Sequence, residues 1–460
     1  MKLTVLGGAG VRSPLLVASV LKHAQSIHLE ELALMDTNRE KLWLLGALGE
    51  HIARRMGSPV RITRSTEPEA ALDGARYIIT TLRVGEEAGR IQDERIALAM
   101  GVLGQETTGP GGFAMAMRSI PAILRYADMA ERLAPGAWIF NFTNPAGLVT
   151  QALRARGFSR SVGICDSANL AQAEASRHLN ISAGELKHEV FGLNHLSWTR
   201  RLLHRGEDLL PSLLSDREFL SGTIQRFFDP ELVQALGMWL NEYLYYYYYP
   251  EKALSSIQAD PMTRGEEVSA LNQKLLKELS QINPEQNPEA ALRVYAAYEK
   301  RRSSTYMHYA QPSSPDMQEA DEQEERELEL DLEEGEGYAG VALQIIGAFE
   351  SGNAAYTALN VPNEGAIDCM RPDDVVEVSC VIENGAIRPL PTGAVPEHQE
   401  LLMRSVKRYE RLAVESILER SRQKAVMALM AHPLVSSYSL AQALVSAYIT
   451  AHAGYIEDWS

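Results

Sequence analysis

Lys2-Leu3-Thr4-Val5-Leu6-Gly7-Gly8-Ala9-Gly10-Val11-Arg12 is the stretch on which the fold turns. A short apolar run, Lys2–Leu6, passes straight into glycines, and a helical pattern at 14–23 follows. Strand, glycine turn and helix in that order let a backbone approach a pyrophosphate, whose charge the helix N-terminus stabilises. Gly7, Gly8, Gly10, Val11 and Arg12 therefore form the expected cofactor loop. Their spacing departs from the usual dinucleotide fingerprint, and a glycine loop alone is weak evidence. Asp36 strengthens it, because it ends a second strand, Glu31–Met35. An acid there hydrogen-bonds the ribose hydroxyls of NAD and repels the 2′-phosphate of NADP. The competing reading is a tight turn followed by a surface Asp.

Further strands at 77–82, 138–142 and 161–165 alternate with helical patterns, the signature of βαβ units on a parallel sheet. The expected fold is α/β, with a Rossmann-type doubly wound parallel sheet over 1–190 and an α+β lobe over 191–460. A strand at 186–192 begins the second lobe, and nothing near residue 190 resembles a flexible linker. Helical patterns dominate 229–302. Glu383-Asn384-Gly385 separates two strand patterns, 375–382 and Ala386–Pro389, as a hairpin turn. The spacing predicts one long amphipathic helix over 401–430 and a shorter one over 440–455.

Composition narrows the partners. Lys and Arg number 44 against 60 Asp and Glu, a net charge of −16 that argues against nucleic acid. Much of that charge lies in 316–336, which reads as a solvated helix face or mobile loop with no catalytic role. No apolar run approaches membrane-spanning length, and no secretory signal is recognisable, so a cytoplasmic protein is expected. Cys165, Cys369 and Cys380 are too scattered for a disulfide framework, which leaves a reduced thiol free to act as a ligand.

Several motifs then follow in one order. They are Arg83-Val84-Gly85, Arg90-Ile91-Gln92-Asp93-Glu94, Gly104-Gln105-Glu106-Thr107-Thr108-Gly109, Asn141-Phe142-Thr143-Asn144-Pro145, Ile164-Cys165-Asp166 and Gly192-Leu193-Asn194-His195. Tyr243-Leu244-Tyr245-Tyr246-Tyr247 and Thr263-Arg264-Gly265-Glu266-Glu267-Val268 continue the set. The ordered set resembles glycoside hydrolase family four over nearly the whole chain apart from the acidic stretch. The resemblance implies a lactate/malate dehydrogenase-like fold, NAD, a divalent metal that is usually manganese, and a glycoside substrate, with a 6-phosphosugar as the leading class. A homodimer or homotetramer is expected by analogy with relatives on this fold.

The same resemblance assigns roles that spacing alone does not. Cys165 and His195 map onto metal ligands; taken singly, each is more often a core residue. Two protein ligands leave coordination positions for adjacent sugar hydroxyls. Asp166 resembles an acid for the leaving oxygen, with helix capping as the structural alternative. Tyr243 corresponds to the catalytic base, with Tyr246 in reserve; helical spacing would put Tyr243, Tyr246 and Tyr247 on one face. Arg90 and Arg264 match substrate-anchoring arginines and Asn144 a sugar contact, though either Arg could close a structural ion pair instead.

The implied chemistry is oxidation of the sugar at carbon 3 by NAD, proton removal at carbon 2 by Tyr243, elimination of the aglycone from carbon 1, addition of water and return of the hydride, with no net redox change, unlike the two-carboxylate route of ordinary glycosidases. Two rival readings stand beside it: an ordinary 2-hydroxy-acid dehydrogenase, and a catalytically silent NAD- or sugar-sensing protein. Ser167-Ala168 after the Cys-Asp pair and Arg301-Arg302-Ser303-Ser304-Thr305-Tyr306 depart from the family pattern and bear on aglycone choice. Cys-Asp points towards α-linked phosphoglucosides and the glycine loop towards β-linked ones; β is preferred, with a 6-phospho-α-glucosidase or a non-phosphorylated α-glycosidase as the alternatives within the family.

Overall fold

A computed structural model describes residues 1–310 and 339–460, so the acidic run lies outside the described residues. Six strands pair in parallel: β1 (Lys2–Leu6), β2 (Glu31–Met35), β3 (Arg61–Ser65), β4 (Tyr77–Thr80), β5 (Trp138–Asn141) and β6 (Ser161–Gly163). Their order, 3-2-1-4-5-6, is that of dinucleotide-binding doubly wound sheets, which switch direction between β1 and β4. Leu3 of β1 stands in register with Leu32 and Tyr77, and Leu3, Val5 and Leu6 are buried. A strand covered on both faces carries such a continuous apolar run.

The expectations missed β3. Its sequence, Arg-Ile-Thr-Arg-Ser, is polar because it is an edge, with Arg61 and Thr63 both bonded to Glu31 on β2. The strand expected at 161–165 is also too long. β6 stops at Gly163, and Asp166 already has helical dihedrals (φ −75°, ψ −30°), which leaves Cys165 in the turn between them.

The second half of the chain builds a small antiparallel sheet and then returns to the first. β7 (Leu186–Leu193) and β8 (Leu196–His204) form a hairpin, flanked by β9 (Glu207–Asp208) and β10 (Trp239–Leu240). β11 (Ala355–Pro362), β12 (Val375–Glu383) and β13 (Ala386–Pro389) extend the large sheet to nine strands, antiparallel from Asn360 opposite Gly163. A sheet shared between the halves explains why no linker is readable near residue 190. Glu383 pairs with Ala386, so the β12–β13 turn holds two residues rather than three. Asn384 (φ +53°) and Gly385 (φ +74°) supply the two left-handed positions that a primed hairpin turn requires.

The long helix expected over 401–430 is two helices, Glu397–Glu419 and Arg422–Ala431. Arg420 ends the first in the left-handed conformation, and the Ser421 side chain caps the second by accepting from Lys424 N–H. The last helix runs Tyr438–Ala451, capped by Ser437. Among the described residues no helix is long and apolar enough to cross a membrane.

Candidate active site

The glycine loop lines a cavity of about 160 Å³ together with Asp36 and Thr81. Gly7 has φ +95°, and a Cβ there would lie 2.7 Å from the carbonyl carbon of Thr81, so only glycine lets the loop pass this close to the sheet. Val11, Arg12 and Ser13 carry the chain from the loop into the helix Ser13–Lys22, whose first turn opens on the cavity. Asp36 is no loose surface acid. Its Oδ2 accepts from Ala9 N–H at 3.1 Å and its Oδ1 from Asn38 N–H at 3.0 Å, which ties the loop to the end of β2. Burial raises its pKa, and those two N–H groups oppose the rise. Each carboxylate oxygen still has a lone pair for a ribose hydroxyl.

A larger cavity of about 480 Å³ adjoins it, sharing Arg12, Arg83, Arg90 and Arg302. Cys165, Asp166, His195, Tyr243, Asn144, Arg90 and Arg264 all line this second cavity. Cys165 stands just past the C-terminal end of β6. His195 occupies the tip of the β7–β8 hairpin, where Leu193 pairs with Leu196 and only Asn194 and His195 turn the chain. Its φ of +62° is uncommon for a residue with a side chain, and such backbone strain collects at functional sites. Thirty positions apart in sequence, Cys165 Sγ and His195 Nε2 lie 3.5 Å from one another.

Hydrogen bonding sets which imidazole nitrogen faces the thiol. Gln105 Oε1 accepts from Thr107 N–H (2.7 Å), Thr108 N–H (2.6 Å) and the Thr107 hydroxyl (3.0 Å). With its proton committed there, Thr107 Oγ1 accepts from His195 Nδ1–H at 3.0 Å, which leaves an Nε2 lone pair directed at Cys165. Burial lowers the His195 pKa to about 3, so the ring is neutral. Burial pushes the Cys165 thiol up, with Glu377 and Asp166 adding to the effect. A neutral nitrogen lone pair, a sulfur and surrounding carboxylates suit a divalent cation, whose charge would favour the thiolate. Among the described residues no cluster of three or more such groups occurs, so this pair would leave coordination positions open.

Glu377, which sequence reasoning missed, fixes the hairpin that carries His195. Its Oε1 accepts from Asn194 Nδ2 (3.2 Å) and Asn360 Nδ2 (3.0 Å), and its Oε2 from Ser197 Oγ (2.7 Å). It is 1% exposed, and burial raises its pKa to about 7. A charged residue inside Val375-Val376-Glu377-Val378 was the signal that could have found it.

Tyr243 lies in the short 3-10 turn Glu242–Leu244, and its ring stacks on the His195 imidazole with centroids 3.7 Å apart and planes 4° apart. The shared face expected for three tyrosines does not form, because a different turn precedes the helix Tyr245–Tyr248. Tyr243 and Tyr246 line the cavity, whereas the Tyr247 hydroxyl faces His432 Nε2. Tyr246 is bonded to the Tyr309 hydroxyl. Burial raises the Tyr243 pKa, with Glu242 and Cys165 reinforcing it, so a phenolate here needs a cation.

Asp166 precedes the 3-10 turn Ser167–Asn169 but makes no side-chain cap bond, so the capping alternative is not realised. Burial raises its pKa to about 6 against the pull of Arg12, with Glu242 adding to the rise. Glu242, also missed, is 2% exposed and accepts from Ser167 Oγ at 2.7 Å.

Both candidate anchoring arginines are engaged. Arg90 bonds Glu94 Oε1 at 2.7 Å and Glu106 Oε2 at 3.0 Å, while Arg264 bonds Glu267 Oε2 at 2.6 Å and Thr305 Oγ1 at 2.5 Å. The structural ion pairs weighed against them are therefore present, yet both side chains border the cavity. Burial works against the charge of Glu106, but Arg83 and Arg90 hold its pKa near 2.

Two family models match the chain: the family 4 glycosyl hydrolase over residues 2–181 and the family 4 glycosyl hydrolase C-terminal domain over 190–435. The chain belongs to the family 4 glycosyl hydrolases. The 6-phospho-beta-glucosidase of Escherichia coli (strain K12) is 27% identical over 472 residues, covering 100% of this chain and 97% of that protein. A solved structure of the Thermotoga maritima 6-phospho-beta glucosidase with manganese, NAD+ and glucose-6-phosphate is 26% identical, covers 99% of this chain and 100% of that one, and superposes with a TM-score of 0.80. A 6-phospho-alpha-glucosidase from gut microorganisms, solved with NAD and Mn2+, is 25% identical with a TM-score of 0.80, covering 100% of this chain and 99% of that one. As a family 4 member the chain is a glycoside hydrolase on a Rossmann-type sheet with an α+β lobe.

Proposed function

We propose that this family 4 hydrolase cleaves 6-phosphorylated glucosides, β-linked before α-linked, and requires NAD and a divalent ion, manganese first. The observation that carries the reading is the approach of Cys165 Sγ to His195 Nε2 at 3.5 Å with Tyr243 stacked on the same imidazole, in a cavity that adjoins the glycine-loop cleft. When bound, NAD would supply a hydride acceptor that is regenerated within each turnover, so cleavage is a hydrolysis with no net redox change, and the metal would supply a Lewis acid.

The chain's own side chains do the rest. Gly7, Gly8, Gly10, Val11, Arg12 and Asp36 hold the nucleotide, and Cys165 with His195 holds the ion. Tyr243 takes the proton from carbon 2, and Asp166 returns one to the leaving oxygen at carbon 1. Arg90, Arg264 and Asn144 hold the sugar and its phosphate; each guanidinium has N–H donors beyond those in its ion pair. The division into a nucleotide lobe (1–190) and a substrate lobe (191–460), a homodimer or homotetramer, and a cytoplasmic setting that keeps Cys165 reduced belong to the same reading.

The test is a panel of nitrophenyl α- and β-glucosides, with and without the 6-phosphate, assayed with NAD+ and Mn2+. The expected result is fastest release from the β-linked 6-phosphate, lost on omitting either cofactor. Net NADH formation from malate or lactate without metal would select a dehydrogenase. Sugar or NAD binding without turnover would select a sensor.

A further inference from the structure

Glu86 opens the helix Glu86–Ala99 from an unfavourable backbone: Gly85 before it has φ +85° and Glu86 itself φ +50°. A residue with a side chain rarely holds that conformation, so surrounding contacts must pin it. Glu86 Oε1 accepts from Asn38 Nδ2 at 3.1 Å, and Oε2 accepts from Lys41 Nζ at 2.7 Å. Glu87 Oε2 lies 3.9 Å from the same ammonium. This clasp joins the chain after β4 to the first turn of the helix Arg39–Arg55, which follows Asp36. Asp36, Lys41, Glu86 and Glu87 all line the glycine-loop cleft.

That placement bears on which dinucleotide fits. A 2′-phosphate would meet the carboxylate of Asp36, and a cation on the following helix is what could accept it. Lys41 stands five residues after Asp36 on that helix, but its charge is committed to Glu86. Arg39, the other cation of that turn, lies over the Trp43 ring, 5.2 Å from its centroid, and does not line the cleft, so Lys41 is the cation that this turn presents there. We propose that Glu86, by holding Lys41, is a specificity-determining residue that favours NAD over NADP alongside Asp36. Asp36 alone would make the preference depend on one carboxylate; the clasp makes it depend on two, the second acting through Lys41.

The inference rests on the nucleotide reading of the cleft, and the test separates the two. Binding of NAD+ and of NADP+ to the full chain is measured by titration calorimetry. Glu86→Gln keeps the shape and removes the charge, and a freed ammonium can then pair with phosphate. We expect NADP+ to bind about tenfold more tightly, and the further change Lys41→Met to erase that gain. Glu86→Asn is uncharged and suited to a left-handed backbone, so it repeats the comparison should Gln disturb the loop. NADP+ affinity within about twofold of the parent in both variants, with NAD+ still bound, overturns the proposal. So does a gain that survives Lys41→Met. A parent chain that binds no NAD+ would instead overturn the proposed function.

Discussion

The imidazole of His195 lies flat on the phenol of Tyr243, centroids 3.7 Å apart, while its Nε2 faces Cys165 Sγ at 3.5 Å. One ring thus fixes both the expected base and the expected metal position. Tyr243→Phe keeps the stack and removes only the hydroxyl. It should lower kcat by about 10²–10⁴-fold while Mn2+ and NAD+ affinities stay within a few-fold. Tyr246→Phe should cost less than about tenfold, because its hydroxyl is bonded to Tyr309. Steady-state kinetics on both variants decides which tyrosine is the base.

Metal affinity should follow the residues that aim His195 as well as the ligands. Cys165→Ser and His195→Ala should abolish tight Mn2+ binding. Glu377→Leu, which frees the hairpin tip, and Thr107→Val, which removes the acceptor for Nδ1–H, should each weaken it by about 10–100-fold. Equilibrium Mn2+ titration checks this; unchanged affinity in both outer variants would mean that the hairpin holds its shape without them.

Asp166, with its pKa raised to about 6 by burial, is protonated below that pH and loses its proton above it. Rates on alkyl aglycones, which need an acid, should therefore fall as pH rises through about 6, and nitrophenyl substrates should fall less. Asp166→Asn should remove this difference by slowing the alkyl series alone. A pH–rate profile with equal slopes for both leaving groups would argue against Asp166 as the acid.

How much of this was legible varies with how local each signal is. The loop from Gly7 to Arg12 and the acid at Asp36 could be read directly, because strand, turn and helix are neighbours in sequence. Cys165 and His195 were readable only through resemblance, since one follows a strand of the large sheet and the other tips a hairpin of the small one. Thr107 was legible only as part of a motif and Glu377 only as a charge within an apolar strand; the bonds by which they aim His195 arise only on folding. The break at Arg420–Ser421 had a local signal, a Ser with a free cap position, that the apolar periodicity of 401–430 outweighed.

Carboxylates removed wholly or partly from solvent should also make stability depend on pH. Glu174, on the helix Leu170–Leu179, has its pKa raised from 4.5 to about 7, chiefly by burial. A folded-state pKa above the unfolded one contributes stability that is full below about 4.5 and lost as pH rises through about 7. Glu377 acts in the same direction. Without metal, Tm should fall between about pH 5 and pH 8, and Glu174→Gln should flatten part of that slope by roughly one to three degrees. A variant whose melting curve tracks the parent at every pH would contradict this.

The most direct measurement is hydrolysis of a 6-phosphoglucoside in deuterated water with NAD+ and Mn2+, followed by NMR of the released sugar. Proton removal by Tyr243 predicts deuterium at carbon 2 in step with turnover, and its appearance slowed by about 10²–10⁴-fold in Tyr243→Phe. Complete hydrolysis with protium retained at carbon 2 would contradict the account.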